Sequence, residues 1–121
     1  MTAEAARDPW LRRAGLAEGY VLRGIVSREV DTIPGNQSAE SSCGSRLTVL
    51  FHRELGTAES GDADAVRFAA PSGAKVFASG SHQFVWGLED VPEVERMRHG
   101  IVDARLQAFV RAMLDDMVGQ R

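Results

Sequence analysis

The sequence predicts a small α+β domain in which about four strands precede one carboxyl-terminal helix. Four β-prone runs are bounded by turn residues, and they lie at residues 20–30, 46–54, 65–70 and 74–79. One amphipathic run of helical spacing follows at residues 103–118. The chain has 121 residues, which suits one domain, so we treat residues 1–121 as a single unit.

The amino-terminal region predicts a polar tail followed by a short helix. Residues 1–7 are polar, and we expect them to be disordered. Asp8 can cap a helix whose first position is Pro9, and Gly15 would end it.

The first two strand predictions differ in pattern. Residues 20–30 are rich in Val and Ile, but Gly24 marks a bulge or a close approach within that strand. A Pro34-Gly35 turn ends the segment. In residues 46–54, Leu47, Val49 and Phe51 alternate with Thr48, Leu50 and His52, which predicts a strand that is covered on one face and partly covered on the other.

The last two strands and the helix are predicted most directly. Pro71-Ser72-Gly73 separates the third and fourth runs, which predicts an antiparallel hairpin. Asp103 can cap the helix and Gly119 lies just beyond it. One helix covers only one face of a sheet, so the other face must meet the amino-terminal segment, a partner or further sequence.

Composition excludes several classes of function. The net charge is −3 with a pI of about 5.6 and no basic stripe, so we expect no nucleic-acid partner. No apolar run reaches the ~18 residues of a membrane span, and the amino terminus lacks a secretion signal, which predicts a cytoplasmic protein with no membrane partner. Cys43 is the only cysteine and lies in a polar loop, so we expect an unreactive thiol.

The best candidate site follows the fourth strand. A Gly80-Ser81 loop presents His82, Gln83 and Trp86 where open α/β sheets place their sites. Histidine suits proton transfer near neutral pH, although a hydrogen-bonded loop histidine is an equally simple interpretation. Trp86 either lines a pocket or belongs to the core.

Several motifs, taken in order, resemble the carboxyl-terminal portion of the N,N-dimethylformamidase large-subunit family. The match covers about the whole chain and is most specific in residues 70–88. Its pieces are Asp8-Pro9-Trp10, Gly15-Leu16, Gly24-Ile25-Val26, Glu29 with Asp31, Leu47-Thr48-Val49-Leu50, Ala70-Pro71-Ser72-Gly73-Ala74-Lys75-Val76-Phe77, Gly80, Trp86-Gly87-Leu88, Asp103, Arg105-Leu106-Gln107 and Leu114-Asp115.

The resemblance implies a fold related to class I glutamine amidotransferases. It also implies hydrolysis of a non-peptide C–N amide bond, as when dimethylformamide gives dimethylamine and formate. Family members hold one iron with tyrosines and a glutamate that are expected upstream of this portion. Tyr20 is the only tyrosine here, so we expect no cofactor in this chain and iron only in a longer or partnered assembly.

The resemblance also suggests roles for individual residues. Ser27-Arg28-Glu29 matches a strand end where family members carry a glutamate, so Glu29 is a candidate general base beside His82. Asp31, Gln83 and Trp86 are candidate substrate-binding residues. A simpler interpretation pairs Glu29 with a neighbouring arginine.

Metal and cysteine chemistry are not predicted. No local spacing supports a metal site from His52, His82, Glu29 and Asp31. A catalytic triad of Cys43 and His82 would lack its acid. In amidotransferase-like folds the acid lies two residues after the histidine, and here Phe84 occupies that position.

Three functions remain open from sequence. The first is a carboxyl-terminal fragment or small subunit of an amide hydrolase, completed by a homo-oligomer or a companion chain. The second is a non-catalytic oligomerising or binding module. The third is an independent small enzyme that uses Glu29 and His82 on an amide.

Overall fold

The computed structural model describes residues 1, 3–25, 47–54, 62–89 and 102–119. Three strands form an antiparallel sheet in the order β1-β2-β3, with β1 at Thr48–Arg53, β2 at Ala63–Ala69 and β3 at Lys75–Ala78. Two helices, α1 at Pro9–Arg13 and α2 at Ala104–Met117, pack against each other. The predicted α+β class is therefore confirmed, with three strands rather than four among the described residues.

The hairpin between β2 and β3 is as predicted. Phe68 pairs with Val76 across the two strands, and the connecting turn closes with hydrogen bonds of 2.8 Å from Ala70 N to Ala74 O and from Gly73 N to Ala70 O. Gly73 has a φ of +85°, a left-handed conformation that glycine adopts without steric cost. The turn sequence therefore fixes this register locally.

Strand β1 departs from simple alternation because it contains a bulge. Val49 pairs with Val66 and Phe51 pairs with Ala65, so Leu50 is the extra residue and is fully buried. Beyond the bulge, Phe51 and Arg53 share one face of the sheet, and His52 lies on the other. The predicted alternation over residues 46–54 was therefore wrong at Leu50.

The strand predicted at residues 20–30 is wrong over its described part. Residues 20–25 follow an irregular path, and Gly24 has a φ of +71° that a regular strand does not tolerate. This segment contacts the start of α2 through its first residue: the Tyr20 hydroxyl donates a 2.6 Å hydrogen bond to Asp103 Oδ2. Residues 26–30 lie outside the described part of the chain.

The amino-terminal segment packs rather than extending into solvent. Ala5–Arg7 form a single 3-10 turn, and Ala5 is completely buried. The burial of this small apolar residue anchors the turn to the core. Asp8 then caps α1 as predicted, accepting a 2.9 Å hydrogen bond from Trp10 N.

Helix α2 begins where the sequence predicts. Asp103 Oδ1 accepts hydrogen bonds from Arg105 N at 2.8 Å and Leu106 N at 3.0 Å, which satisfies two donors of the first turn. Gly119 follows the helix with a φ of +76°. The apolar stripe buries Leu106, Phe109, Ala112 and Met113.

The core is an aromatic cluster centred on Phe109. Its ring centroid lies 5.6 Å from Phe51 and from Phe77, 6.3 Å from Trp10 and 6.5 Å from Phe84, in edge-on geometries that aromatic pairs favour. The cluster therefore joins α2 to one face of the sheet and to α1.

A chain of polar contacts fixes α1 and α2 beside the sheet. Asp8, which is buried, forms an ion pair with Arg67, whose guanidinium lies 4.7 Å above the Trp10 ring. The Trp10 indole donates to Asp116 Oδ2 at 2.8 Å, and Lys75 Nζ lies 2.7 Å from Asp116 Oδ1. These contacts connect residues that are remote in sequence, so they specify how the elements pack.

Candidate functional site

The segment after β3 turns sharply and then forms a 3-10 helix at His82–Gly87. Gly80 makes the turn with a φ of +62°, and a β-carbon there would clash with the Asp64 backbone. Ser81 Oγ donates to Ile25 O at 2.7 Å and accepts from Gln83 N at 3.3 Å. Ser81 therefore starts the helix and also holds the chain at Ile25.

The 3-10 helix determines which predicted site residues face solvent. His82 is exposed, whereas Gln83 and Trp86 are half-buried. Phe84 and Gly87 are buried, at the three-residue spacing of this helix type. Because the sheet is antiparallel, the placement rule for open α/β sheets does not govern this segment.

Glu29 and Asp31 lie outside the described residues, as does Cys43. The structure therefore places three of the five predicted site residues, His82, Gln83 and Trp86, along one short helix.

An apolar cavity of about 260 Å³ lies between residues 20–25, the carboxyl end of β1 and the start of β2. Its walls are mostly apolar, and the main contributors are Leu22, Ile25, Phe51, Ala63, Ala65 and Phe84. From the segment after β3, Ser79, Ser81 and Phe84 contribute to the lining. His82, Gln83 and Trp86 do not line it, although Ser81 and Phe84, which flank His82 and Gln83 in the sequence, do.

The hydroxyl groups in the pocket wall are already used by the protein. Ser79 Oγ donates to Ser81 O at 3.0 Å, and Ser81 Oγ donates to Ile25 O. The Tyr20 hydroxyl donates to the Asp103 carboxylate; this hydrogen bond, with some desolvation, raises the pKa of Tyr20. These hydroxyls therefore hold the wall in place, and none is set up as a nucleophile.

Two basic residues at the end of β1 border the pocket, and the sheet separates their side chains. Arg53 shares a face with Phe51, which lines the pocket, whereas His52 points to the opposite face. On that face His52 Nδ1 lies 2.8 Å from Asp64 Oδ1, its direct cross-strand partner. Asp64 is buried, so the pair is partly shielded from water.

Arg53 and Asp64 were missed by the sequence reasoning. The sequence does indicate the position of Arg53: it follows Phe51 by two residues in a strand, so both side chains lie on the same face of the sheet. The His52–Asp64 pair needs the cross-strand register, and the bulge at Leu50 conceals that register in the sequence.

The described residues do not fit the iron site that the family resemblance implies. Tyr20 is the only tyrosine, and its hydroxyl is bonded to Asp103. In the described parts of the chain, no three His, Cys, Asp or Glu side chains group closely enough to hold a metal ion. Within the same residues, no helix is long and apolar enough to cross a membrane.

No family model, curated protein or solved structure matches the chain. The family resemblance therefore stays a prediction that depends on the motifs quoted above.

Proposed function

We propose that the chain is the carboxyl-terminal fragment or small subunit of an amide hydrolase of the N,N-dimethylformamidase type. In this proposal it supplies an apolar wall of the substrate pocket, and a companion chain or further copy supplies the rest of the catalytic set. The amidotransferase-like fold belongs to the same proposal.

The observation that carries the proposal is the apolar pocket with its engaged hydroxyls. A cavity of about 260 Å³ is slightly smaller than the roughly 300–1,000 Å³ of most ligand pockets, so it suits a small organic molecule. N-alkyl amides of this size carry apolar groups that favour burial against Ile25, Phe51 and Phe84. Because the wall hydroxyls are engaged, the groups that activate water must come from other residues.

Glu29 and His82 are the residues of this chain proposed for that task. Ile25 lines the pocket, and Glu29 follows it by four positions in the sequence. Glu29 would act as general base toward water. His82, which does not line the pocket, would transfer a proton to the departing amine where that amine projects beyond the apolar wall. Asp31, Gln83 and Trp86 are proposed to position the part of the substrate that lies outside the apolar wall. Iron would be held by tyrosines of the companion portion.

The test is reconstitution of hydrolysis. The chain is assayed for dimethylamine release from N,N-dimethylformamide, alone and after co-expression with the polypeptide encoded immediately upstream. We expect activity and bound iron only in the co-expressed complex. A complex that forms, binds iron and does not hydrolyse amides would contradict the proposal, as would failure of the two polypeptides to associate.

A pocket variant ties the activity to this chain. Ala63→Leu places a larger side chain in the pocket wall and should reduce turnover of the complex. Ala69→Leu makes the same change at the exposed far end of β2 and should leave turnover unchanged. Equal activity in both variants would show that the pocket does not hold the substrate.

The second candidate function is an oligomerising module formed by two copies of this chain. Leu114 on α2 is 51% exposed, and Val118, which directly follows the helix, is 68% exposed. Leu114 borders a groove together with Val110 and Leu88. Spacing by four residues places Val110 and Leu114 on one side of the helix, and Val118 follows at its carboxyl end. Light scattering should show a dimer that Leu114→Glu converts to a monomer; a concentrated wild-type monomer would exclude this function.

A further inference from the structure

The size of the apolar pocket indicates what part of an amide it would hold. A cavity of roughly 150 Å³ lined by aliphatic and aromatic side chains is enough to bind benzene. The pocket here is about 260 Å³, so a formyl group, which has one carbon, would leave most of it empty. A benzoyl group or a branched acyl group of similar size would fill it.

One side chain at this pocket differs in character from the apolar wall. Arg53 lies at the end of β1 on the face of Phe51 and Ala65, and its side chain is exposed. Among the described residues, no carboxylate pairs with its guanidinium, and no residue with a carboxylate lines the pocket.

The other basic residue at the pocket already has a carboxylate partner. His52 is on the opposite face of β1 and is paired with Asp64 at 2.8 Å. Among the pocket-lining residues that the structure describes, Arg53 is therefore the basic side chain without a carboxylate partner on this face of the strand. A guanidinium presents two parallel N–H donors that match the two oxygens of a carboxylate.

We propose that this pocket binds the apolar acyl part of an amide larger than a formamide, and that Arg53 binds the carboxylate released from it. The amide assignment depends on the function proposed above, whereas binding of the carboxylic acid does not. The ligand class is a monocarboxylic acid with a compact apolar body, such as an aromatic or branched aliphatic acid.

The chemistry of hydrolysis accounts for a basic group at an otherwise apolar pocket. Cleavage breaks the C–N bond, adds the hydroxyl group of water to the acyl carbon and transfers the remaining proton of water to the nitrogen. One carboxylic acid and one amine result, and the acid ionises near neutral pH. A substrate amide is neutral, so Arg53 distinguishes the product acid from the substrate by charge.

The test is a titration of the isotopically labelled chain followed by NMR, with benzoate as the probe. Benzyl alcohol serves as a neutral ligand of similar shape, and formate as a carboxylate without an apolar body. We expect benzoate to shift resonances of Ile25, Phe51 and Ala65 and to bind about tenfold more tightly than benzyl alcohol. Formate should produce no comparable shifts.

Variants separate the charge from the cavity. Arg53→Gln should remove the preference for benzoate and leave binding of benzyl alcohol unchanged. Arg111→Gln is the matched control, because Arg111 is also an exposed arginine without a described carboxylate partner but lies on α2. Ala63→Leu should weaken both ligands, which would locate them in the pocket.

Some results would overturn the inference. Equal affinities for benzoate and benzyl alcohol would remove the role of the carboxylate, and an undiminished preference in Arg53→Gln would remove the role of that residue. Equal losses in Arg53→Gln and Arg111→Gln would indicate a general effect of net charge.

A second measurement distinguishes this inference from the proposed function. The co-expressed complex should hydrolyse N,N-dimethylbenzamide faster than N,N-dimethylformamide. If it hydrolyses amides but the chain does not bind benzoate, the inference is wrong and the function stands. If benzoate binds through Arg53 and no complex hydrolyses amides, the acid site stands and the function is wrong.

Discussion

Gly80→Ala should be among the most destabilising single substitutions in the described part of the chain. A β-carbon at Gly80 would lie 2.5 Å from the Asp64 carbonyl carbon and closer still to its oxygen. The residue also has a φ of +62°, where a side chain costs about 1–2 kcal/mol. The Asp64 carbonyl belongs to β2, so it cannot withdraw without disturbing the sheet.

Gly73→Ala separates the steric clash from the backbone strain. Gly73 has a φ of +85°, but no atom lies within 4 Å of a β-carbon built there. We therefore expect Gly73→Ala to lower the free energy of unfolding by about 1 kcal/mol. The added clash should bring the loss in Gly80→Ala to about 3–4 kcal/mol, near the upper end of single substitutions.

Guanidinium denaturation followed by circular dichroism measures both losses. In thermal denaturation, a loss of 1 kcal/mol lowers the melting temperature by roughly 3–5 °C for a domain of this size. The melting temperature should therefore fall by about 4 °C in Gly73→Ala and by about 12 °C in Gly80→Ala. Gly80 also precedes Ser81, which holds Ile25 at the pocket wall, so Gly80→Ala should weaken ligand binding there. Equal losses of stability in the two variants would refute the steric reasoning.

The remaining predictions concern two carboxylates. Asp116→Ala should lower the free energy of unfolding by about 1–2 kcal/mol, because the indole N–H of buried Trp10 loses its acceptor. Asp116→Asn should lower the free energy of unfolding by less than about 1 kcal/mol. Hydrogen bonds from Lys75 and then Trp10 lower the pKa of Asp116, so its stabilisation is present above the unfolded-state pKa and lost as pH falls through the folded one. Asp116→Asn should therefore be less sensitive to acid below about pH 4 in denaturation experiments, and an unchanged acid limb would contradict this. The hydrogen bond to Asp103 raises the pKa of Tyr20, so this bond stabilises the fold below the unfolded-state pKa of about 10 and its contribution is lost as the pH rises through the folded-state pKa. Tyr20→Phe should abolish that alkaline loss of stability. The tyrosinate absorbance of the folded wild type should rise at a higher pH than that of the unfolded chain.

The parts of the fold that the sequence predicted are those set by neighbouring residues. The caps of α1 and α2 depend on Asp8 and Asp103 contacting backbone two or three positions later. The β2–β3 hairpin depends on a three-residue turn with Gly73 at its end. Each of these features depends on residues within a few positions of one another, so residue types and their spacing were sufficient to predict it.

The features that escaped prediction depend on contacts between distant parts of the chain. Residues 20–25 contain β-prone side chains, but two hydrogen bonds hold this segment outside the sheet. One runs from the Tyr20 hydroxyl to Asp103, and the other from the Ser81 hydroxyl to the Ile25 carbonyl. Tertiary contacts commonly override β-propensity in this way. The same cause conceals the pocket, since its wall joins segments separated by more than fifty residues.

The structure gives packing roles to several residues that carry the predicted family resemblance. The motif residues of the segment 70–88 have evident packing roles: Gly73 makes the hairpin turn, Phe77 joins the core and Gly80 passes the Asp64 backbone. At Gly87 a β-carbon would lie 2.6 Å from Leu106 Cδ2, so that glycine allows α2 to approach.

These roles would be required of the fold whether or not the protein hydrolyses amides. Packing alone accounts for these motif residues, so evidence for the chemistry must come from residues that the packing does not constrain. Arg53 is such a residue, because its exposed side chain is not needed to hold the sheet together. If Arg53→Gln keeps full stability and loses the preference for carboxylates, the function of this pocket can be assigned independently of its ancestry.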